Sequence, residues 1–175
     1  MSEHRVLLVD DEKNVLRALK RLLRKEPYEL VTALSGEEAL EKLAQEPAHL
    51  VISEQRMPGM SGTDLLAQVK ERSPDTVRVI LSGYAEMSVV VDSINQGEVY
   101  RLLAKPWNDD ELKTVIRQCL EQYDIRAENR ELLQKTRTQN EELQRLNDRL
   151  EEMVAERTQT LRLAQEILEE LPVAI

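Results

Sequence analysis

The chain has 175 residues, 41% of them apolar but only 3% aromatic, with no Phe and one Trp, so its core must be built from Leu, Val, Ile and Ala. Acidic side chains outnumber basic ones by 20 to 16 through residue 120 and by 13 to 8 beyond it, giving a net charge of −9 and no basic footprint for a nucleic acid. The single cysteine, Cys119, excludes an intrachain disulfide and a multi-cysteine metal site, and the N-terminal apolar run is too short for a signal sequence or a span, which predicts a cytoplasmic protein without membrane contact.

Residues 5–9 read as a short apolar strand that ends at Asp10 and Asp11. Residues 14–25 follow with Val15, Leu16, Leu19, Leu22 and Leu23 on one helical face. A second strand is expected over 28–33. Ser35 then caps a helix running to about Gln45, with Glu38 as its capping-box partner. The apolar run Leu50-Val51-Ile52 stops at Ser53-Glu54-Gln55, and Pro58, Gly59 and Gly62 forbid regular structure for several residues. This pattern is that of a buried parallel strand delivering a carboxylate, Glu54, to its C-terminal end, where ligand chemistry collects in open α/β sheets. A helix over 63–72, a strand over 77–81 ending at Ser82, a helix over 86–96 closed by Gly97, and a strand over 99–104 ending at Lys105-Pro106 complete the alternation. Five strands alternating with helices predict a parallel sheet covered on both faces.

From Asn108 the composition changes, with no Gly or Pro between Trp107 and Leu171. Asn108 caps a helix whose first turn carries Asp109, Asp110 and Glu111, the sign the helix dipole prefers. If helical to Glu170 it would extend roughly 90 Å, at about 1.5 Å per residue. Leu143, Leu146, Leu150 and Met153 step by 3, 4 and 3, a coiled-coil seam, and Leu161 and Leu168 rejoin it if one four-residue stutter falls near Val154. The same register places Ile125 and Leu132 inward, but also Asn129, Thr136 and Gln139. The alternative is a single solvated helix, marginal at this length without tertiary packing.

The acidic pair in LLVDDE, the strand and loop VISEQRMPGMSG, the hydroxyl in ILSGY and the lysine in LLAKPW stand in a fixed order. In that order, residues 5 to about 122 resemble the receiver domain of two-component response regulators. The resemblance implies a flavodoxin-like sheet of order 2-1-3-4-5 and a bound Mg²⁺. Asp11 would be a direct ligand, Asp10 would act through water, and the main-chain carbonyl of Arg56 would supply a third contact, beside Glu54. It further implies that Ser82 moves to bond a phosphoryl group, that Lys105 pairs with Glu54 or a bound anion, that the Lys105–Pro106 bond is cis, and that a sensor histidine kinase is the partner. Two positions depart from the pattern. Glu54 stands where the family carries its phosphate-accepting aspartate, and Leu102 stands where it usually carries an aromatic switch residue, with Tyr100 two positions earlier.

One additional methylene carries the Glu54 carboxylate toward Lys105 and Ser82, so it occupies part of the volume and charge of a phosphoaspartate. The mimicry is partial, because a phosphate monoester carries about −1.5 to −2 charges and three oxygens. The expected organisation is a receiver over 1–122, a parallel homodimeric coiled-coil helix over 123–171 passing the receiver's state to an output domain, and the start of a further domain, resembling the opening of a PAS sensor domain, over 172–175. A phosphorylation-independent dimerisation scaffold is the alternative. A haloacid-dehalogenase-like phosphatase needs a second aspartate two residues after its nucleophile, where this chain has Arg56.

Overall fold

The computed structural model describes residues 4–96 and 98–173. Five strands, β1 (His4–Val9), β2 (Tyr28–Ala33), β3 (Leu50–Ser53), β4 (Val77–Gly83) and β5 (Arg101–Lys105), form one parallel sheet in the order β2-β1-β3-β4-β5. The helices between them are α1 (Lys13–Leu23), α2 (Gly36–Gln45), α3 (Gly62–Arg72) and α4 (Met87–Asn95), the last preceded by a 3₁₀ turn over Tyr84–Glu86. Helix α5 runs from Asp109 to Glu170.

Alternation along each strand divides the core between the two faces. Val6 and Leu8 of β1, Ile52 of β3 and Leu81 of β4 pack with Leu16, Leu19 and Leu23 of α1 and Leu112, Ile116 and Cys119 of α5. The neighbouring Leu7, Val9, Val51 and Ile80 point the other way, onto Leu40 of α2, Leu65, Leu66 and Val69 of α3 and Val90 of α4. With both faces covered, the central strands are continuous apolar runs rather than alternating ones. Full burial of each Leu, Ile or Val contributes about 1.5–3 kcal/mol, which a core without Phe collects through number. Cys119 is fully buried in the first layer, and burial pushes its thiol up to about 11.

The caps follow the sequence, with one change. Ser35 Oγ accepts from Glu38 N at 3.1 Å, but the Glu38 carboxylate reaches Leu34 N at 2.8 Å rather than the N–H of Ser35. It does so while holding Lys42 one turn on. Asn108 Oδ1 accepts from the N–H groups of Asp110 and Glu111, each at 3.0 Å, and opens α5 as expected.

Several boundaries move. α1 starts at Lys13 and ends at Leu23, two residues short of the expected Lys25. β4 continues through Ser82 and Gly83 because β5 pairs with both, Ser82 opposite Ala104 and Gly83 opposite Lys105. β5 begins at Arg101 rather than Val99; Val99 is spent on the core, and Tyr100 is tied to β4 by its N–H to Arg78 O at 2.7 Å. The expected helix 86–96 is a 3₁₀ turn followed by α4, and its expected closing Gly97 lies outside the described residues, as do Ala174 and Ile175.

The chain divides into two compact units, Met1–Ala127 and Glu128–Ile175. In the second, Leu143, Leu146, Leu150, Met153, Leu161 and Leu168 are all exposed. Side-chain pairs one turn apart, among them Arg137 with Glu141 at 3.3 Å and Gln144 with Asp148 at 3.0 Å, line its surface.

Candidate functional site

The carboxyl ends of β1, β3, β4 and β5 meet at one rim of the sheet. Asp10 and Glu54 each stand one residue past a strand with the main chain still paired, Asp10 N to Ala33 O at 3.2 Å and Glu54 N to Val9 O at 2.8 Å. The sheet therefore holds both carboxylates at a fixed height. Ser82 comes from β4 and Lys105 from the last position of β5.

Of the expected site residues, Asp10, Glu54, Ser82 and Lys105 form one hydrogen-bonded set. Lys105 Nζ donates to Asp10 Oδ2 at 2.7 Å and to Glu54 Oε2. Glu54 Oε1 accepts from Ser82 Oγ at 2.6 Å, Gln55 N at 2.6 Å and Arg56 N at 3.1 Å. The other Asp10 oxygen accepts from Glu12 N at 2.9 Å. Asp11 is exposed and lines, with Glu12, Glu54, Arg56 and Glu86, a cavity of about 530 Å³ above this set. The Lys105–Pro106 bond is cis.

Burial would raise the Glu54 pKa, but hydrogen bonds from Lys105, Ser82 and the Arg56 N–H, with the Lys105 charge, outweigh it and hold the carboxyl below its ordinary value. Burial likewise opposes the Lys105 charge, and its bonds to Asp10 and Glu54 reverse that, holding the ammonium above its ordinary value. Both groups are therefore charged at neutral pH. A lysine between two carboxylates meets the condition under which buried charge is tolerated, pairing plus hydrogen bonds to the remaining lone pairs.

The loop after Glu54 is built to pass close beneath it. Gly62 N donates to Gln55 O at 2.9 Å, and a Cβ on Gly62 would lie 2.2 Å from the carbonyl oxygen of Glu54, so only glycine fits. Gly59 supplies the positive φ, 81°, that turns the chain. The buried amide of Gln55 brackets Thr63, accepting from its N–H at 3.0 Å and donating to its hydroxyl at 3.2 Å, which fixes the loop to α3.

Among the described residues, no three His, Cys, Asp or Glu side chains form a ready-made metal cluster. The donor chemistry nonetheless fits a hard divalent cation that keeps several waters: oxygen atoms only, anionic, at an open cavity. Asp11, Asp10 and the main-chain carbonyl of Arg56 are the donors that would hold it. Glu54, the further expected ligand, accepts hydrogen bonds at both carboxylate oxygens, as Asp10 does.

The two aromatic-switch positions point elsewhere. Leu102 is half-buried against the second core layer, and Tyr100 is exposed with the Arg126 guanidinium 5.5 Å from its ring centroid. The sequence reading missed Glu86, whose carboxylate pairs with Arg56 at 2.6 Å across the cavity mouth. No spacing rule would have found it, because it lies in the turn before α4. It also missed a cluster at the opposite, N-terminal edge of the sheet. There His4 Nε2 bonds Asp124 at 2.9 Å, and His49 Nδ1 accepts from Arg5 N at 2.8 Å while its ring meets His4 and Tyr123 edge-on.

A family model described as response regulator receiver domain matches residues 6–117. The hydrogenase transcriptional regulatory protein HoxA of Cupriavidus necator is 35% identical over 133 residues, covering 76% of this chain and 27% of that protein. The transcriptional regulatory protein GlrR of Escherichia coli is 38% identical over 117 residues, covering 67% of this chain and 26% of its own length. The chain thus spans about a quarter of the length of these curated relatives. Among solved structures, one described as adenylate cyclase from Rhodopirellula baltica superposes with a TM-score of 0.73 at 35% identity, covering 76% of this chain and 98% of that one. The signal receiver domain of an HD domain-containing protein from Pseudomonas fluorescens Pf-5 does so with a TM-score of 0.70 at 38% identity, covering 73% and 94%.

Proposed function

Because this chain belongs to the response regulator receiver domain family, we propose that it is a cytoplasmic signalling receiver whose Glu54 acts as a built-in partial phosphomimic. One observation carries this reading: Ser82 Oγ and Lys105 Nζ both bond the Glu54 carboxylate, the two contacts a phosphoryl group on an aspartate at that position would be expected to recruit. Glu54 brings the negative charge and two of the oxygens; Ser82 and Lys105 supply the fixed donors. A cation held by Asp10, Asp11 and the Arg56 carbonyl, for which Mg²⁺ is the expected ion, would withdraw charge from phosphoryl oxygens.

Attack by Glu54 on a phosphodonor is disfavoured. Its carboxylate already fills the donor pocket, and a displaced nucleophile loses in-line alignment, for which small errors are costly. The partner for the receiver surface is a sensor histidine kinase. The exposed apolar positions Leu143, Leu146, Leu150, Met153, Leu161 and Leu168 serve as the seam of a parallel homodimeric coiled coil that passes the state of the receiver to an output domain.

A phosphorylation-independent scaffold is the second reading, favoured by the saturation of both Glu54 oxygens with donors. Glu54→Asp separates the two. With a small-molecule phosphodonor and Mg²⁺, intact-mass spectrometry is expected to show acyl phosphate on the aspartate variant and almost none on the parent. Stoichiometric phosphate on the parent would refute the mimic, and an unreactive aspartate variant would favour the scaffold.

A further inference from the structure

Arg56 touches both sides of the pocket. Its N–H donates to Glu54 Oε1 at 3.1 Å, and its guanidinium pairs with Glu86 at 2.6 Å. Glu86 closes the 3₁₀ turn that runs directly into α4, and its side chain is only 16% exposed although Arg56 is 78% exposed. The carboxylate lies over the main chain beside Ser82, since a Cβ on Gly83 would come within 2.9 Å of Glu86 Oε2. Ser82 in turn donates to the same oxygen, Glu54 Oε1, that Arg56 holds. Bonds thus link Ser82, Glu54, Arg56 and Glu86 in that order, and the Glu86 carboxylate lies close to Gly83, the residue after Ser82.

The helix at the end of this series of bonds is lightly anchored. Val90 is its one fully buried apolar side chain among the described residues, Val89 and Val91 are exposed, and Glu86 at its N-cap makes no side-chain capping bond. An element with so few buried contacts sits at the low-stability end of a domain, where a single ion pair can shift its opening equilibrium. Among the described residues the lining of this cavity contains no aromatic ring, and Tyr100 is engaged with Arg126.

We propose that Arg56 and Glu86 are a positioning pair that transmits the state of the residue-54 pocket to α4, an inference that rests on Glu54 being the signalling residue. The pair does not touch reacting atoms. It holds the start of α4 against the loop whose N–H groups read the carboxylate. A change at residue 54 that shifts Arg56 or releases Ser82 therefore loosens α4 through the ion pair.

The test is hydrogen–deuterium exchange of the full chain, read over residues 84–95. Glu54→Gln is expected to speed exchange there by about two- to fivefold, the range a half-exposed ion pair can supply. In a Glu86→Gln background the same change is expected to add nothing, and the charge-swapped pair Arg56→Glu with Glu86→Arg is expected to restore the response. An equal response to Glu54→Gln with and without Glu86, or a swap that fails to restore it, overturns the relay while leaving the reading of Glu54 intact. No response in the parent chain overturns both.

Discussion

Replacing Lys105 with Met keeps the length of the side chain and removes the ammonium shared by Asp10 and Glu54. Lys105 is 19% exposed and the two carboxylates 4% and 10%, so water cannot substitute for the lost charge. Removing one member of a buried ionic set costs about 3–5 kcal/mol. Asp10 retains the Glu12 N–H, and Glu54 retains Ser82 and two main-chain donors, which places the loss at the lower end, about 3 kcal/mol. At an m value of about 1.5–2 kcal/mol/M, the urea midpoint falls by about 1.5–2 M. Trp107, the only tryptophan, lies in the Met1–Ala127 unit and reports its unfolding by fluorescence.

The loss depends on pH in a defined direction. In the parent, the lowered Glu54 pKa contributes stability that is complete above its ordinary value of 4.5 and is lost as pH falls through the folded value. The raised Lys105 pKa contributes stability that is complete below 10.5 and is lost only as pH rises through its folded value, so it is fully present throughout the acid range. In Lys105→Met the Glu54 carboxyl loses its ammonium partner and protonates sooner, and the gap between variant and parent narrows as pH is taken from 7 to 3. A loss under about 1 kcal/mol at pH 7, the range of a surface pair, or a gap that does not change with pH, would refute the view that Lys105 neutralises this cluster.

Gly62→Ala forces a methyl to within 2.2 Å of the Glu54 carbonyl oxygen and 3.0 Å of Gln55 Cα, both backbone atoms that cannot yield without moving the loop. A loss of about 3 kcal/mol or more is expected, measured by thermal unfolding. Burial, then the neighbouring His4, lowers the His49 pKa below 6.5, so its contribution is complete above that value and lost as pH falls through the folded one. Stability should drop between pH 7 and pH 5, and His49→Gln should flatten that drop; equal slopes for parent and variant would exclude His49 as its source. Leu150→Asp, at the centre of the exposed seam, should convert a dimer into a monomer in sedimentation velocity at high micromolar concentration, and a parent chain that sediments as a monomer removes the coiled coil.

The sheet was legible because its strands obey simple rules. A run such as Leu50-Val51-Ile52 has no polar position, and burial on both faces is the arrangement that accommodates it. The pocket was legible because Asp10, Glu54, Ser82 and Lys105 each lie at the carboxyl end of a strand, so strand order alone brought them together. What sequence could not reveal lies off the strands. Whether Glu38 bonds Ser35 or Leu34 depends on where Lys42 draws its carboxylate. The start of β5 depends on Val99 being drawn into the core, and β-propensity does not distinguish a paired residue from a merely buried one. Arg56 meeting Glu86 and His4 meeting His49 are contacts between loops or edges distant in the chain, which no periodicity encodes.

The burial of Cys119 gives the chain a silent thiol. A sulfhydryl with its pKa near 11, fully shielded on the sheet-facing side of α5, presents almost no thiolate to a disulfide reagent or maleimide at neutral pH. Spin labels, dyes or crosslinkers attached through a cysteine introduced on the surface will therefore report from that one site without interference. Run the other way, the slow modification of Cys119 itself becomes a clock for the rare events in which α5 lifts from the sheet, and its rate under native conditions measures how often that layer opens.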